Sequence, residues 1–140
     1  LPWNYPEDIS FFKKKSLGQN VLMGNKTFYS LKKYYKKKTL PFKKIYVASL
    51  EPNIKINQVI IVSNLINFLK SYQSKNEYIM VLGGGQIYHQ SLPYANIIYL
   101  THILKRYQGN VFFPRFSYQK YRIHEKKISN ELIFVTYIKK

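Results

Sequence analysis

A single aspartate stands in this chain of 140 residues, Asp8, directly after Pro6 and Glu7. Pro-Glu-Asp reads as the first turn of a helix, where proline is tolerated and acidic side chains suit the positive end of the dipole. Read alone, a carboxylate there satisfies that dipole. Its setting between Trp3, Ile9 and Phe12 points instead to a carboxylate facing an apolar, aromatic-lined cleft. Such a group grips a cationic or amidine-like heterocycle by two parallel charge-assisted bonds, each worth about 1.5–3 kcal/mol net.

A second set of groups sits where apolar runs end. Gly24 to Thr27, Ser49, and Gly83 to Gln86 each follow such a run. Glycine opening a helix lets backbone N–H groups approach a phosphate with no side chain in the way. The spacing matches neither G-x-G-x-x-G nor the P-loop. Gly24 alone reads more readily as a tight turn, whereas three consecutive glycines after a buried strand favour a ligand. His89, His102 and His124 fall on three separate elements with no metal-like pairing, so no metal site is expected. The absence of cysteine excludes thiol nucleophiles, disulfides and cysteine zinc sites.

The elements that must position these groups follow from the apolar pattern. Pro6 to Lys15 is predicted as a helix with Ile9, Phe11 and Phe12 inward, and Val21–Gly24 as a buried strand leading into a helix from Asn25 to Leu31. Lys32 to Lys38, five lysines and two tyrosines, is predicted as a solvated loop. Ile45–Ser49, Val59–Val62, Tyr78–Leu82 and Ile97–Thr101 read as strands. Ser63–Leu69 reads as a capped helix, and Gln86–Leu92 as a helix stopped by Pro93. Tyr118–Lys126 and Leu132–Ile138 form an expected antiparallel hairpin about Ser129-Asn130. Near-continuous apolar strands alternating with helices mean an α/β fold, a mostly parallel sheet flanked by helices with that C-terminal hairpin at its edge. Residues 1–140 are expected to form a single domain.

Composition sets the outer bounds. With 46% apolar and 17% aromatic residues the chain can fill one interior, which excludes a disordered basic tail. Twenty-three basic residues against six acidic ones leave +17, an imbalance that invites a nucleic-acid or membrane reading. The lysines are scattered, however, with no helix-turn-helix, RNP-like or zinc pattern, so no specific nucleic-acid partner is expected. No apolar run approaches the length of a membrane span. Lys, Asn, Ile, Tyr and Phe are abundant while Arg, Asp and Ala are scarce, the profile of an A/T-rich genome. A cytoplasmic monomer is the expectation.

Six co-linear motifs carry a resemblance to the dihydrofolate reductases. They are residues Leu1 to Asp8 with Phe11-Phe12-Lys13; Val21 to Ser30; Leu40 to Lys44; Val81 to Tyr88; Ile98 to Ile103; and Gly109 to Pro114. The resemblance implies NADPH-dependent reduction of 7,8-dihydrofolate to tetrahydrofolate. Carried over by position, Asp8 grips the pterin's amino group and ring nitrogen and promotes protonation, Thr101 bonds that carboxylate, and Trp3 holds an ordered water beside it. Ile9, Phe12, Leu31, Leu40 and Leu82 wall the substrate rings, and Tyr88 lies near the nicotinamide. Gly24, Asn25, Lys26, Thr27 and Ser49, with Gly83, Gly84, Gly85, Gln86 and Ile87, cradle the cofactor, with a cis peptide between Gly83 and Gly84.

Some positions depart from the family pattern. Lys43 stands where an arginine usually forks onto the substrate's glutamyl carboxylate, and a point charge lacks that geometry. Residues that usually hold the adenosine 2′-phosphate align with Asn25, Leu50 and Gln86, and Glu51 adds a like charge, leaving Lys26 and Ser49. The resemblance also implies a central strand and the first half of an active-site loop upstream of Leu1. A chain beginning there is expected to leave strands unpaired and to be unstable or inactive. An inactive fragment or degenerate homologue, and a basic nucleic-acid-binding domain, are the alternative readings. A reductase acting on a pyrimidine precursor of riboflavin shares the fold, but the Pro6-Glu7-Asp8 helix start favours the folate branch.

Overall fold

Val21, Leu22 and Met23 have no exposed surface, because the strand they form is paired on both edges and covered on both faces. The computed structural model describes residues 5–36, 39–49, 59–104 and 113–140. Helix α1 (Pro6–Ser16) precedes that strand, β1 (Asn20–Gly24), which runs into α2 (Asn25–Tyr35). Then come β2 (Lys44–Ala48), β3 (Val59–Val62), α3 (Leu65–Gln73), β4 (Met80–Val81) and α4 (Gly85–Ser91). The chain ends with β5 (Ile97–Ile103), β6 (Tyr121–Ser129) and β7 (Leu132–Lys139).

The strands make two sheets. A parallel sheet runs β3-β2-β1-β4, and an antiparallel one runs β5-β7-β6. The α/β class and the C-terminal hairpin are as expected, but the hairpin is not at the edge of the parallel sheet: β7 pairs with β5 from Ile97↔Ile138 to Ile103↔Leu132, so that the three strands form a sheet of their own. One face of the parallel sheet buries Val21, Met23, Ile45 and Val47 with Phe28 of α2 and Leu82, and Phe12 of α1 packs on this cluster. Its other face buries Leu22 and Val62 against Leu69 of α3. α3 begins as its sequence suggests: Asn64 caps it, accepting a bond from the Asn67 N–H at 3.1 Å.

Several boundaries differ from the sequence reading. The lysine-rich stretch after Leu31 is not a loop from its start; Lys32 to Tyr35 complete α2, which closes at Lys36 with φ 54°. Lysine is a good helix former, and the last turn welcomes positive charge. The two tyrosines there carry Lys13 Nζ over their rings at 4.9 and 5.6 Å. Strand β4 keeps only Met80 and Val81 of the expected Tyr78–Leu82. Helix α4 ends at Ser91, and Pro93 sits within a following 3-10 turn. A 3-10 turn at Tyr118–Lys120 delays β6 to Tyr121. Trp3 and the rest of residues 1–4, Lys37 and Lys38, Leu50 and Glu51, and Gly109 to Phe112 lie outside the described residues.

Phe28 is 2% exposed and central to the first cluster, so Phe28→Ala should cost about 3–5 kcal/mol in a denaturant titration. Ile60 on β3 is half exposed, and Ile60→Thr should move the same midpoint by no more than about 0.5 kcal/mol.

Candidate active site

Helix α1 sets Asp8 in place. Tyr5 is the extended N-cap, Pro6 follows at the first helical positions, and the Asp8 N–H donates to the Tyr5 carbonyl at 3.1 Å. The half-buried carboxylate meets β5, where Thr101 Oγ1 donates to Asp8 Oδ1 at 2.8 Å. Hydrogen bonding of this kind, to a charged acceptor, contributes about 1.5–3 kcal/mol and fixes which way the carboxylate faces. Further along α1, Phe11 packs on Phe134 and Tyr99, with ring centroids 5.0 and 6.1 Å apart. Phe12 turns to the parallel-sheet cluster instead. The helix is thus seated between the two sheets.

Three contacts that sequence reasoning missed hold the same end from the other side. Glu7 accepts bonds from Ser129 Oγ and from Asn130 Nδ2, the latter at 3.3 Å, and Tyr5 Oη donates to Glu131 Oε2 at 2.7 Å. The turn between β6 and β7 therefore clamps the first turn of α1. Glu7 read alone carries only the dipole signal, and nothing local points to partners more than 120 residues away.

The glycines converge at the carboxyl ends of β1 and β4. The Gly24 N–H donates to the Gly83 carbonyl at 2.9 Å, and Gly83-Gly84 is a cis peptide bond, as the resemblance implied. Gly83 has φ +117°, a conformation that side chains disfavour, and an added Cβ would lie 3.4 Å from the Tyr88 ring. At Gly24 a Cβ would press to 3.3 Å on Ile87, and at Gly84 it would meet Thr27 Oγ1 at 3.6 Å. Bare backbone at these points leaves room for a ligand to approach closely. Asn25 Nδ2 donates to the buried Ser49 hydroxyl at 3.3 Å, which brings β2 into the group. Lys26 and Gln86 are exposed at its rim, with Gly85 half-buried.

Tyr88 joins the two sets. Burial, reinforced by the negative charge of Asp8, pushes its phenol up to about 12. The ring also stacks on Phe113, 5.1 Å away, an aromatic partner that the sequence marked only as part of a motif. Leu31, Leu40 and Phe12 pack together on the cluster that contains Leu82, so four of the five expected wall residues gather in one place. Ile9 is half-buried on α1 one residue past Asp8, and Lys43 is exposed. His102 Nε2 lies 3.1 Å from Tyr137 Oη, while His89 and His124 are exposed. Among the described residues no three His, Cys, Asp or Glu side chains group as metal ligands, and no helix is long and apolar enough to cross a membrane.

Comparisons with known proteins point to one family. The family model described as dihydrofolate reductase matches residues 1–137. A dihydrofolate reductase of Buchnera aphidicola subsp. Acyrthosiphon pisum is 37% identical over 135 residues, covering 94% of this chain and 80% of that protein. One from Buchnera aphidicola subsp. Baizongia pistaciae is 36% identical over 127 residues, or 91% and 74%. Among solved structures, the dihydrofolate reductase from Enterococcus faecalis complexed with NADP(H) and RAB-propyl superposes with a TM-score of 0.80. That match covers 99% of this chain and 84% of the other at 19% identity, which speaks for the fold.

A phenol with its folded pKa above the ordinary 10 lends stability that is whole below pH 10 and is lost as the pH rises through about 12. Alkaline titration of phenolate absorbance should therefore show Tyr88 ionising late, together with Tyr72, which burial also raises to about 12. Tyr88→Phe should delete one tyrosine from that late limb, and an unaltered limb would contradict the assignment.

Proposed function

This chain belongs to the dihydrofolate reductase family, whose activity is the NADPH-dependent reduction of 7,8-dihydrofolate to tetrahydrofolate for one-carbon metabolism, and we propose that the cleft around Asp8 performs it. The observation that carries this reading is the Thr101–Asp8 bond at 2.8 Å, set in the same cleft as the Gly83-Gly84 cradle through the action of Asp8 on Tyr88.

The reaction adds a hydride to the carbon and a proton to the nitrogen of one C=N bond. NADPH supplies the hydride when bound. The chain's own work is to hold two rings together, exclude water and favour the protonated nitrogen. Asp8 is suited to the last task. Its carboxylate is an acceptor-only group that pairs with the donor–donor edge of a pterin, and its charge favours a proton on that ring. A competitor without that edge would leave the carboxylate unpaired. Thr101 orients it, and Trp3 is proposed to hold a water beside it. Phe12, Leu31, Leu40 and Leu82, which pack together, supply with Ile9 the apolar wall for the substrate rings. Lys43, being exposed, offers one cation to the glutamyl end.

The cradle fits a dinucleotide. Cβ atoms at Gly24, Gly83 or Gly84 would press on Ile87, Tyr88 or Thr27, and α2 opens directly after Gly24 with no side-chain cap, which leaves its first turn suited to phosphate. Gly24 to Thr27, Ser49 and Gly83 to Tyr88 are proposed to hold it. Work as a monomer is part of the same proposal. A cytoplasmic location without a specific nucleic-acid partner completes the proposal.

The test is dihydrofolate-dependent oxidation of NADPH near neutral pH. Asp8→Asn should lower turnover by about 10²–10⁴-fold while the chain stays folded, and undiminished turnover would remove Asp8 from the mechanism. Lys43→Arg, by adding a fork for the glutamyl carboxylate, should lower the Michaelis constant with little change in turnover.

A further inference from the structure

We propose that the α2 end of the cleft reads a ribose hydroxyl rather than a 2′-phosphate, so that the chain binds NADH within about tenfold of NADPH. The proposal rests on the functional reading above and concerns Asn25, the first residue of α2.

The Asn25 amide is half used. Its Nδ2 donates to Ser49 Oγ at 3.3 Å, and its Oδ1 is buried with no hydrogen-bond partner. Asn20 Oδ1 and Ser91 Oγ are orphaned likewise, but of the three only Asn25 opens a helix behind a glycine of the cradle, where a donor carried by the ligand would complete it. Oδ1 is an acceptor, so what completes it is an O–H or N–H group. A ribose 2′-hydroxyl brings that donor. A 2′-phosphate, largely dianionic at neutral pH, presents acceptor oxygens and would face Oδ1 lone pair to lone pair. The two dinucleotides differ in this group alone. Position 25 is also where the family resemblance places a side chain that holds the 2′-phosphate, and asparagine is neutral there. The neighbouring cation, Lys26, is exposed, and solvent screens its pull on a phosphate. Gln86, at the rim on α4, is exposed and uncharged.

Calorimetric titration of the full chain with NADH, NADPH, ADP and 2′,5′-ADP tests this without reference to turnover. NADH and NADPH should bind within about tenfold of each other, and so should ADP and 2′,5′-ADP. Asn25→Ala, which removes the waiting acceptor, should weaken NADH relative to NADPH. Asn25→Arg should tighten NADPH and 2′,5′-ADP by about tenfold or more. NADPH binding more than about 100-fold tighter than NADH in the unaltered chain would overturn the proposal. It would mean that the amide presents Nδ2 to the ligand instead. An unchanged NADH-to-NADPH ratio in Asn25→Ala would overturn the role of Asn25 by itself. Failure of all four ligands to bind would sink the cofactor reading together with this one, whereas binding of the 2′-phosphorylated pair alone would sink only this one.

Discussion

The bond from Thr101 to Asp8 ties a helix to a strand of a sheet on which it makes only part of its contacts. Helix α1 is shared: Phe12 belongs with the parallel-sheet core, Phe11 with Phe134 and Tyr99 of the antiparallel sheet. A helix seated between two sheets can rock between them unless polar contacts fix its rotation. Asp8 on Thr101, Glu7 on Ser129 and Asn130, and Tyr5 on Glu131 do so from both sides of its first turn. Aromatic packing supplies the adhesion, and the directional bonds supply the angle. For the proposed role of Asp8, meeting a flat heterocycle edge-on, that angle is the quantity that matters.

The opposite wall follows a different rule. Where β1 and β4 end, the chains approach so closely that Gly24 bonds the Gly83 carbonyl directly. Side chains at these points would fill the space against Ile87, Thr27 and Tyr88. One wall is therefore made by oriented side chains and the other by their absence. Tyr88 packs on the second wall, where a Cβ at Gly83 would lie 3.4 Å from its ring, and the charge of Asp8 adds to the burial that raises its phenol.

What was legible in the sequence was what local patterns encode. Strand β1 reads as buried because Val-Leu-Met leaves no polar face, and α3 reads from the capped pattern of Ser63–Leu69. Asp8 stood out through its neighbours, and its partner Thr101 through family resemblance. The extension of α2 through Lys32 to Tyr35 was hidden, because charge density reports solvation and does not distinguish a solvated helix from a solvated loop. The shortness of β4 was hidden too: an apolar run marks burial, while regular register with β1 holds only at Met80 and Val81. The Glu7 clamp and the orphaned Asn25 oxygen depend on residues distant in sequence. No window of local pattern contains both partners.

Charge scarcity gives these contacts their weight. Only six carboxylate side chains occur in the chain, and three of them, Glu7, Asp8 and Glu131, meet neutral hydroxyl or amide donors around the first turn of α1. With so few acids, the lysines find another kind of partner. Lys13 lies over Tyr34 and Tyr35, Lys15 over Phe11 and Tyr99, Lys32 over Phe28, and Lys75 over Tyr72. Each such contact is worth about 0.5–1 kcal/mol at an exposed site, comparable to a surface ion pair. Aromatic faces thus take over the work that carboxylates do in a balanced sequence. A chain that holds lysines against rings can gather half of its few carboxylates at the first turn of α1 without a cation beside each of them.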